Sequence, residues 1–97
     1  MTVLATPSEA GGGGCAVTRS GAQMGDRLVV TGPLGGAVGE DGFGHHLTFA
    51  PRLSEAVMLR AILGAQLHAM IDLSDGLGRD AARVAVASQV HVMLEAE

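Results

Sequence analysis

The sequence predicts an α/β fold, a two-layer α+β arrangement in which helices pack on a mixed sheet. Three short and largely apolar runs are typical of strands: 27–31, 68–71 and 90–94. Two helix-forming segments, 54–63 and the stretch after Gly76, follow the first and second of these runs. This alternation of strand and helix indicates helices covering a sheet.

Composition places the chain among ordinary globular domains. Its 97 residues suffice for at most one modest domain, 47% of them are hydrophobic, and the aromatic residues are two Phe. The net charge is −4, and all six basic residues are Arg without any basic run, which argues against nucleic-acid binding. An anionic ligand can still bind through a metal ion and backbone amides.

No apolar stretch is long enough to span a membrane, and no signal-like segment opens the chain. Cys15 is the only cysteine, so it cannot form an intrachain disulfide, and no motif supplies a base that would make it a nucleophile. These observations predict a cytoplasmic protein.

Glycine clusters divide the chain. The run 11–14 is interpreted as a flexible linker, since the Lys and Ser/Thr of a phosphate-binding loop are missing. Gly25-Asp26 predicts a turn before the strand at 27–31, and five glycines between 35 and 44 predict a loop. A helix is expected from Leu53 or Ser54 to Leu63, with Gly64 as its stop. Because this helix is apolar on most faces, it should be covered by a sheet or by a second subunit.

The stretch from Asp72 to Gly76 carries the most chemistry. Asp72 and Asp75 stand between an apolar run and a helix start, where oxygen ligands suit Mg²⁺ and free amides favour a phosphate. Ser74 adds a hydroxyl that can donate to phosphate. Capping of the next helix by Ser74 or Asp75 is a strong alternative. Capping does not explain Asp72, which calls for a cation partner or for solvent.

The helix after Gly76 is predicted to be amphipathic. Its apolar stripe is expected to comprise Leu77, Ala81, Val84, Ala85 and Ser88. Its polar face is expected to comprise Arg79, Asp80 and Arg83.

Two other polar features carry weaker signals. The four His residues fit no zinc spacing, so a zinc site is not predicted. Arg52 suits a phosphate contact and a solvated helix start equally well.

Three segments together resemble the thiamine-monophosphate kinases, within the aminoimidazole-ribonucleotide-synthetase superfamily. They are Thr18–Ala22 with Gly25-Asp26 and the run to Gly35, then Pro51-Arg52 before a helix, and then Ile71–Leu77 with Asp80 after it. The acidic third segment is the most specific, and the order holds over about residues 17 to 94.

This resemblance implies an ATP-dependent phosphotransferase that converts thiamine monophosphate to thiamine diphosphate. It makes Asp72 and Asp75 ligands of Mg²⁺, and Arg19 and Ser74 contacts of ATP. It assigns residues 1–24 to the last strand of an N-terminal domain plus a linker, and residues 25–97 to part of a C-terminal nucleotide- and phosphate-binding domain. ATP and thiamine monophosphate are the implied partners.

Several readings remain open beside the kinase. These residues are expected to be inactive on their own, because the resemblance covers only part of such a kinase and no position for thiamine recognition is identifiable. One alternative is a non-catalytic module that self-associates, so a homo-oligomer is expected. Another is a related ATP-using synthetase acting on a different substrate.

Overall fold

The computed structural model describes residues 2–5 and 16–95. Its regular elements are helix α1 (Leu53–Leu63), helix α2 (Leu77–Ser88) and two single-turn 3-10 helices, at His45–Leu47 and Gly64–Gln66. The predicted linker at 11–14 and Cys15 lie outside the described residues. None of the described helices is long and apolar enough to cross a membrane.

The predicted mixed sheet is wrong: residues 2–5 and 16–95 contain no strand. β-propensity measures how well a side chain fits a half-buried pleated surface, but a strand forms only where a neighbour pairs with its backbone. Residues 27–31 and 90–94 gain no such ladder, and Val29 and Met93 are 75% and 82% exposed. Within the run 68–71, the Met70 N–H donates to the Thr18 carbonyl at 3.1 Å, and this single bond does not make a ladder.

Helix α1 confirms the bounds predicted for it. It begins at Leu53, and its last turn closes at Gly64, whose φ of 52° is one that glycine adopts without strain. The expected cover is missing within the described chain, because no residue of α1 is buried and Val57 and Ile62 are at least 70% exposed. The helix is therefore an uncovered apolar surface on this part of the molecule.

Helix α2 holds the core of the described chain. Ala81 and Val84 are 5% and 6% exposed, in agreement with the predicted apolar stripe. Its C-terminal end stops at Gln89, which takes a left-handed conformation at φ 57°. Asp80 contradicts the predicted polar face, since at 1% exposure it is the most buried of these three residues.

Ser88, at the last turn of α2, fastens a distant part of the chain. Its hydroxyl donates to the Arg19 carbonyl at 2.8 Å and accepts from the Ala22 N–H at 3.1 Å. The segment 18–22 in turn lies against residues 68–70, with Gly21 packed directly on the His68 carbonyl. Asp26 continues this contact, and its two carboxylate oxygens each lie 2.9 Å from His68 Nδ1.

The turn before Asp26 confirms the position predicted from Gly25-Asp26. The Asp26 N–H donates to the Gln23 carbonyl at 3.1 Å, and the Gln23 N–H donates to Asp26 Oδ2 at 2.8 Å. The Gln23 amide, helped by His68, holds the pKa of Asp26 below its ordinary value. The turn is thus stabilised by its own aspartate.

Candidate functional site

The acidic turn Asp72–Gly76 lies directly before α2, as the sequence predicts. Gly76 is the residue before the first helical turn, and its φ of 103° suits glycine alone. No side chain caps this helix start. The alternative that Ser74 or Asp75 caps α2 is therefore wrong, because neither side chain reaches the first-turn amides.

The turn is instead held by the side chain of Asp80, which lies on the buried side of the turn. Its Oδ2 accepts the N–H groups of Ser74 and Asp75, at 2.9 and 3.0 Å. A carboxylate in the first helical turn often reaches back in this way to the residues before the helix. The bonds form here because α2 directs Asp80 into the buried side of the turn rather than toward solvent.

Arg83 completes this cluster. Its Nη1 donates to Asp80 Oδ1 at 2.7 Å, and its Nη2 donates to Asp75 Oδ2. Asp80 and Arg83 are three residues apart on α2, a spacing that brings side chains together on one helix face. The guanidinium therefore bridges one buried carboxylate and one that is 41% exposed.

The electrostatics of the cluster follow from these bonds. The Asp75 amide, together with the Ser74 amide and Arg83, lowers the pKa of Asp80 against the opposing effect of desolvation. The bond to Asp75 is the main cause that raises the pKa of Arg83. Both the buried Asp80 carboxylate and the Arg83 guanidinium are therefore favoured in their charged forms.

Asp72 and Ser74 have a different environment. Both are exposed, and within the described chain neither side chain has a hydrogen bond or an ion pair. The Asp72 carboxylate is thus available to a ligand. Oδ1 of Asp75 is available as well, since Arg83 bonds only Oδ2. Ser74 uses its backbone N–H to hold the turn, which leaves the hydroxyl open.

Arg19 lies elsewhere. Its carbonyl is bonded to Ser88, at the far end of α2 from the acidic turn. A 12-residue helix spans roughly 16 Å between its end residues at 1.5 Å per residue. The structure therefore keeps Asp72, Ser74 and Asp75 together in one turn but places the backbone of Arg19 at the opposite end of α2.

The chemistry of the donor set fits a hard cation in part. Asp72 and Asp75 offer carboxylate oxygens, and the Arg83 guanidinium already stands as a cation against Asp75. Mg²⁺ is commonly held by one or two carboxylates, with water and phosphate completing its shell. Within the described residues no group of three or more His, Cys, Asp or Glu side chains is arranged to hold a metal. The turn fits a cation shared with a phosphate rather than a cation enclosed by protein alone.

The remaining polar candidates have protein partners. Arg52 Nη1 donates to Glu55 Oε1 at 3.0 Å and lies over Gly32, and Arg52 is the main cause that lowers the pKa of Glu55. This pairing favours the solvated helix-start reading of Arg52. The His46 ring contacts the Ala37 carbonyl, and His68 contacts Asp26.

Sequence reasoning missed the roles of Asp80 and Arg83. It treated both as part of a solvated face, since charged residues on a helix usually lie there. The available signal was positional: an acidic residue four positions after Gly76, with an arginine three positions later. That pattern matches a side chain that reaches back to the residues before a helix and is paired from within the helix.

Comparison with known proteins identifies two curated relatives. The chain is 42% identical over 79 residues to the thiamine-monophosphate kinase of Rhodopirellula baltica, which covers 81% of this chain and 23% of the relative. It is 41% identical over 81 residues to the thiamine-monophosphate kinase of Halobacterium salinarum, which covers 74% of this chain and 27% of the relative.

The chain thus spans about a quarter of the length of the relatives it matches. No protein-family model matches it, and no solved structure matches it. The two relatives nevertheless confirm the resemblance predicted from the motifs: this chain carries a segment of the thiamine-monophosphate kinase family.

Proposed function

We propose that this chain supplies one wall of the nucleotide and magnesium site of an ATP-dependent thiamine-monophosphate kinase. The observation that carries the proposal is the acidic turn at the uncapped start of α2, in a segment similar to two such kinases. In this assignment the γ-phosphoryl group of ATP passes in line to a phosphate oxygen of thiamine monophosphate, and no protein nucleophile is needed.

Phosphate binding belongs to the start of α2 rather than to the turn itself. The Ser74 and Asp75 amides are already used by Asp80, so they cannot cradle a ligand. The first-turn amides of α2 have no side-chain cap, and a Cβ added at Gly76 or Gly78 would meet nothing within 4 Å. Uncapped amides at a helix start suit an anionic phosphate, and the open space beside Gly76 and Gly78 leaves room for one.

Cation binding belongs to Asp72 and Asp75. The exposed Asp72 carboxylate and the open Oδ1 of Asp75 are the donors that this turn offers. A bound Mg²⁺ would neutralise phosphate charge and orient the transferring group. The Ser74 hydroxyl would donate to a phosphate oxygen, and Arg19 would contact the nucleotide from the other end of α2.

The kinase reaction as a whole requires more than these residues. The chain corresponds to about a quarter of each relative, and none of its residues is assigned to thiamine. We therefore propose that it binds nucleotide and cation but does not turn over alone. A cytoplasmic location remains a prediction from composition.

Neutralisation of Asp72 and Asp75 tests the proposal. Asp72→Asn combined with Asp75→Asn is expected to weaken Mg²⁺-dependent ATP binding by at least about tenfold, the loss of roughly one charge-assisted contact. Isothermal titration with ATP at fixed Mg²⁺, repeated with EDTA, measures it. Glu40→Gln, an exposed acid outside the turn, is the matched control and should bind like wild type.

Equal binding by wild type and the double variant would exclude the nucleotide-site assignment. A repeat with thiamine monophosphate present tests for part of the acceptor site. ATP affinity that rises with this second ligand would favour the kinase over a related ATP-using synthetase.

The uncovered α1 supports self-association as a second candidate function. Met58 and Ile62, one turn apart on α1, are 53% and 73% exposed. Apolar side chains exposed along one helix face are typical of surfaces that pair with another protein surface, and a second copy of the chain offers the same face.

Light scattering tests this candidate. The chain is expected to be a dimer or larger, and Met58→Gln with Ile62→Gln is expected to return it to the monomer. Val86→Gln is the control, since Val86 is 79% exposed on α2. A wild-type chain that stays monomeric at high concentration would rule out this function.

A further inference from the structure

The Arg83 guanidinium occupies a position that a divalent cation at Asp75 would compete for. It donates to Asp75 Oδ2 through Nη2 and to Asp80 Oδ1 through Nη1. Asp80 is 1% exposed, and all of its contacts are internal, so it is not a ligand for an entering ion. Asp75 is 41% exposed and faces both the arginine and solvent.

Arg83 and a metal ion cannot hold Asp75 equally well at the same time. A dication on the open Oδ1 of Asp75 would stand beside the guanidinium that bonds Oδ2 of the same carboxylate, and the two positive charges repel each other at short range. Asp80 keeps Nη1 in place, so the guanidinium needs only a side-chain rotation to release Nη2 from Asp75. The bond that gives way is therefore the exposed one.

We propose that Arg83 is an internal counter-cation for Asp75, which a divalent cation displaces when it binds. This inference rests on the proposed function, because it concerns the same turn. In the absence of metal, Arg83 offsets the repulsion among Asp72, Asp75 and Asp80. When the ion binds, Nη2 of Arg83 releases Asp75, while Nη1 keeps its hydrogen bond to Asp80. Arg83 thereby sets the affinity of the turn for the cation.

A merely structural arginine predicts the opposite sign. If Arg83 only braced the turn, its removal would disorder Asp75 and weaken cation binding. If Arg83 competes with the ion, its removal strengthens binding. The direction of the change therefore separates the two roles.

The test titrates the whole chain with Mn²⁺ alone and follows the free ion by electron paramagnetic resonance. Mn²⁺ serves as the probe because it takes the same oxygen ligands as Mg²⁺. Arg83→Gln is expected to bind Mn²⁺ roughly two- to fivefold tighter, the effect of losing one half-exposed ion pair. Arg79→Gln removes the same charge from an exposed position of α2 and controls for the change in net charge. Its effect on Mn²⁺ affinity should be smaller than that of Arg83→Gln.

The other variants distinguish the two proposals. If Asp72→Asn with Asp75→Asn binds Mn²⁺ like wild type, the turn is not a cation site, and the nucleotide assignment and the counter-cation role both fail. If that double variant binds weakly while Arg83→Gln is unchanged or weaker, the counter-cation role alone is overturned. A gain no larger than that of Arg79→Gln also overturns it.

A measurement on the unaltered chain covers the case in which Arg83→Gln does not fold. Addition of Mg²⁺ should shift the Nε–Hε resonance of Arg83 in heteronuclear NMR spectra while that of Arg79 stays in place. An Arg83 resonance that does not move while the Asp75 amide responds to Mg²⁺ would contradict displacement.

Discussion

Asp80→Ala is expected to release the acidic turn and to lower the resistance of the chain to urea. The substitution removes the acceptor of the Ser74 and Asp75 amides and one partner of Arg83. Donors left without partners beside a buried site are costly. Hydrogen exchange should show protection of the two turn amides falling by about tenfold, which corresponds to one lost hydrogen bond.

The same variant should change the response of the chain to acid. Because the folded state lowers the pKa of Asp80 from its ordinary value of 3.8, its carboxylate stabilises the fold above that pH. This stabilisation is lost as the pH falls through the lower, folded value. Asp80→Ala should therefore lose less stability than wild type between neutral pH and acid below 3.8. Asp26 and Glu55 contribute similarly in both proteins.

Glu40→Ala provides the comparison, since it removes an exposed acid without a role in the turn. It should leave the urea midpoint and the turn amides unchanged. Ser74 and Asp75 amides that stay protected in Asp80→Ala would show that other contacts hold the turn, and the anchoring role of Asp80 would be refuted.

Gly21→Ala is expected to cause the second large loss. The new methyl group would lie well inside contact distance of the His68 carbonyl oxygen, which is backbone and cannot rotate away. Residues 18–22 and 68–70 would have to separate, and the bond from the Met70 N–H to Thr18 would be strained. Overpacking of this kind costs about 2 kcal/mol, with values of roughly 1–3 kcal/mol usual.

The matched control is Gly78→Ala on α2, where the same methyl group meets nothing within 4 Å. It should leave stability unchanged or raise it by up to about 1 kcal/mol, because alanine favours a helix. Urea denaturation of both variants measures the difference. A Gly21→Ala chain as stable as Gly78→Ala would mean that residues 18–22 do not pack on residue 68 in solution.

The helices could be predicted closely because their determinants are local. The Leu53 start and the Gly64 stop of α1 depend on residues within one turn of each end. The buried face of α2 follows from the spacing of Ala81 and Val84. The prediction of a sheet failed for the opposite reason, because Val29 and Val90 have strand-forming side chains but no partner strand among the described residues.

The position of the candidate site in the chain was predicted, but the contacts that hold its turn in place were not. The turn from Asp72 to Gly76 lies where the motif places it, at the start of a helix. The role of Asp80 in holding the turn was not predicted. A charged residue on an amphipathic helix is normally assigned to the solvent face, whereas the backbone of α2 directs Asp80 inward. The separation of Arg19 from the turn depends on its contact with Ser88, 69 positions away, which no local pattern reveals.

Two sets of hydrogen bonds join α2 to other parts of the chain, one from Asp80 and one from Ser88, and they differ in how soon they can form during folding. The bonds from Asp80 to the turn span five and six positions, so they can close together with the first turn of the helix. The bonds of Ser88 to Ala22 and Arg19 span 66 and 69 positions and must first overcome the entropy of closing a long loop. We infer that the acidic turn takes its conformation early, together with the start of α2. Residues 18–22 then dock onto α2 in a later step, after the helix has formed.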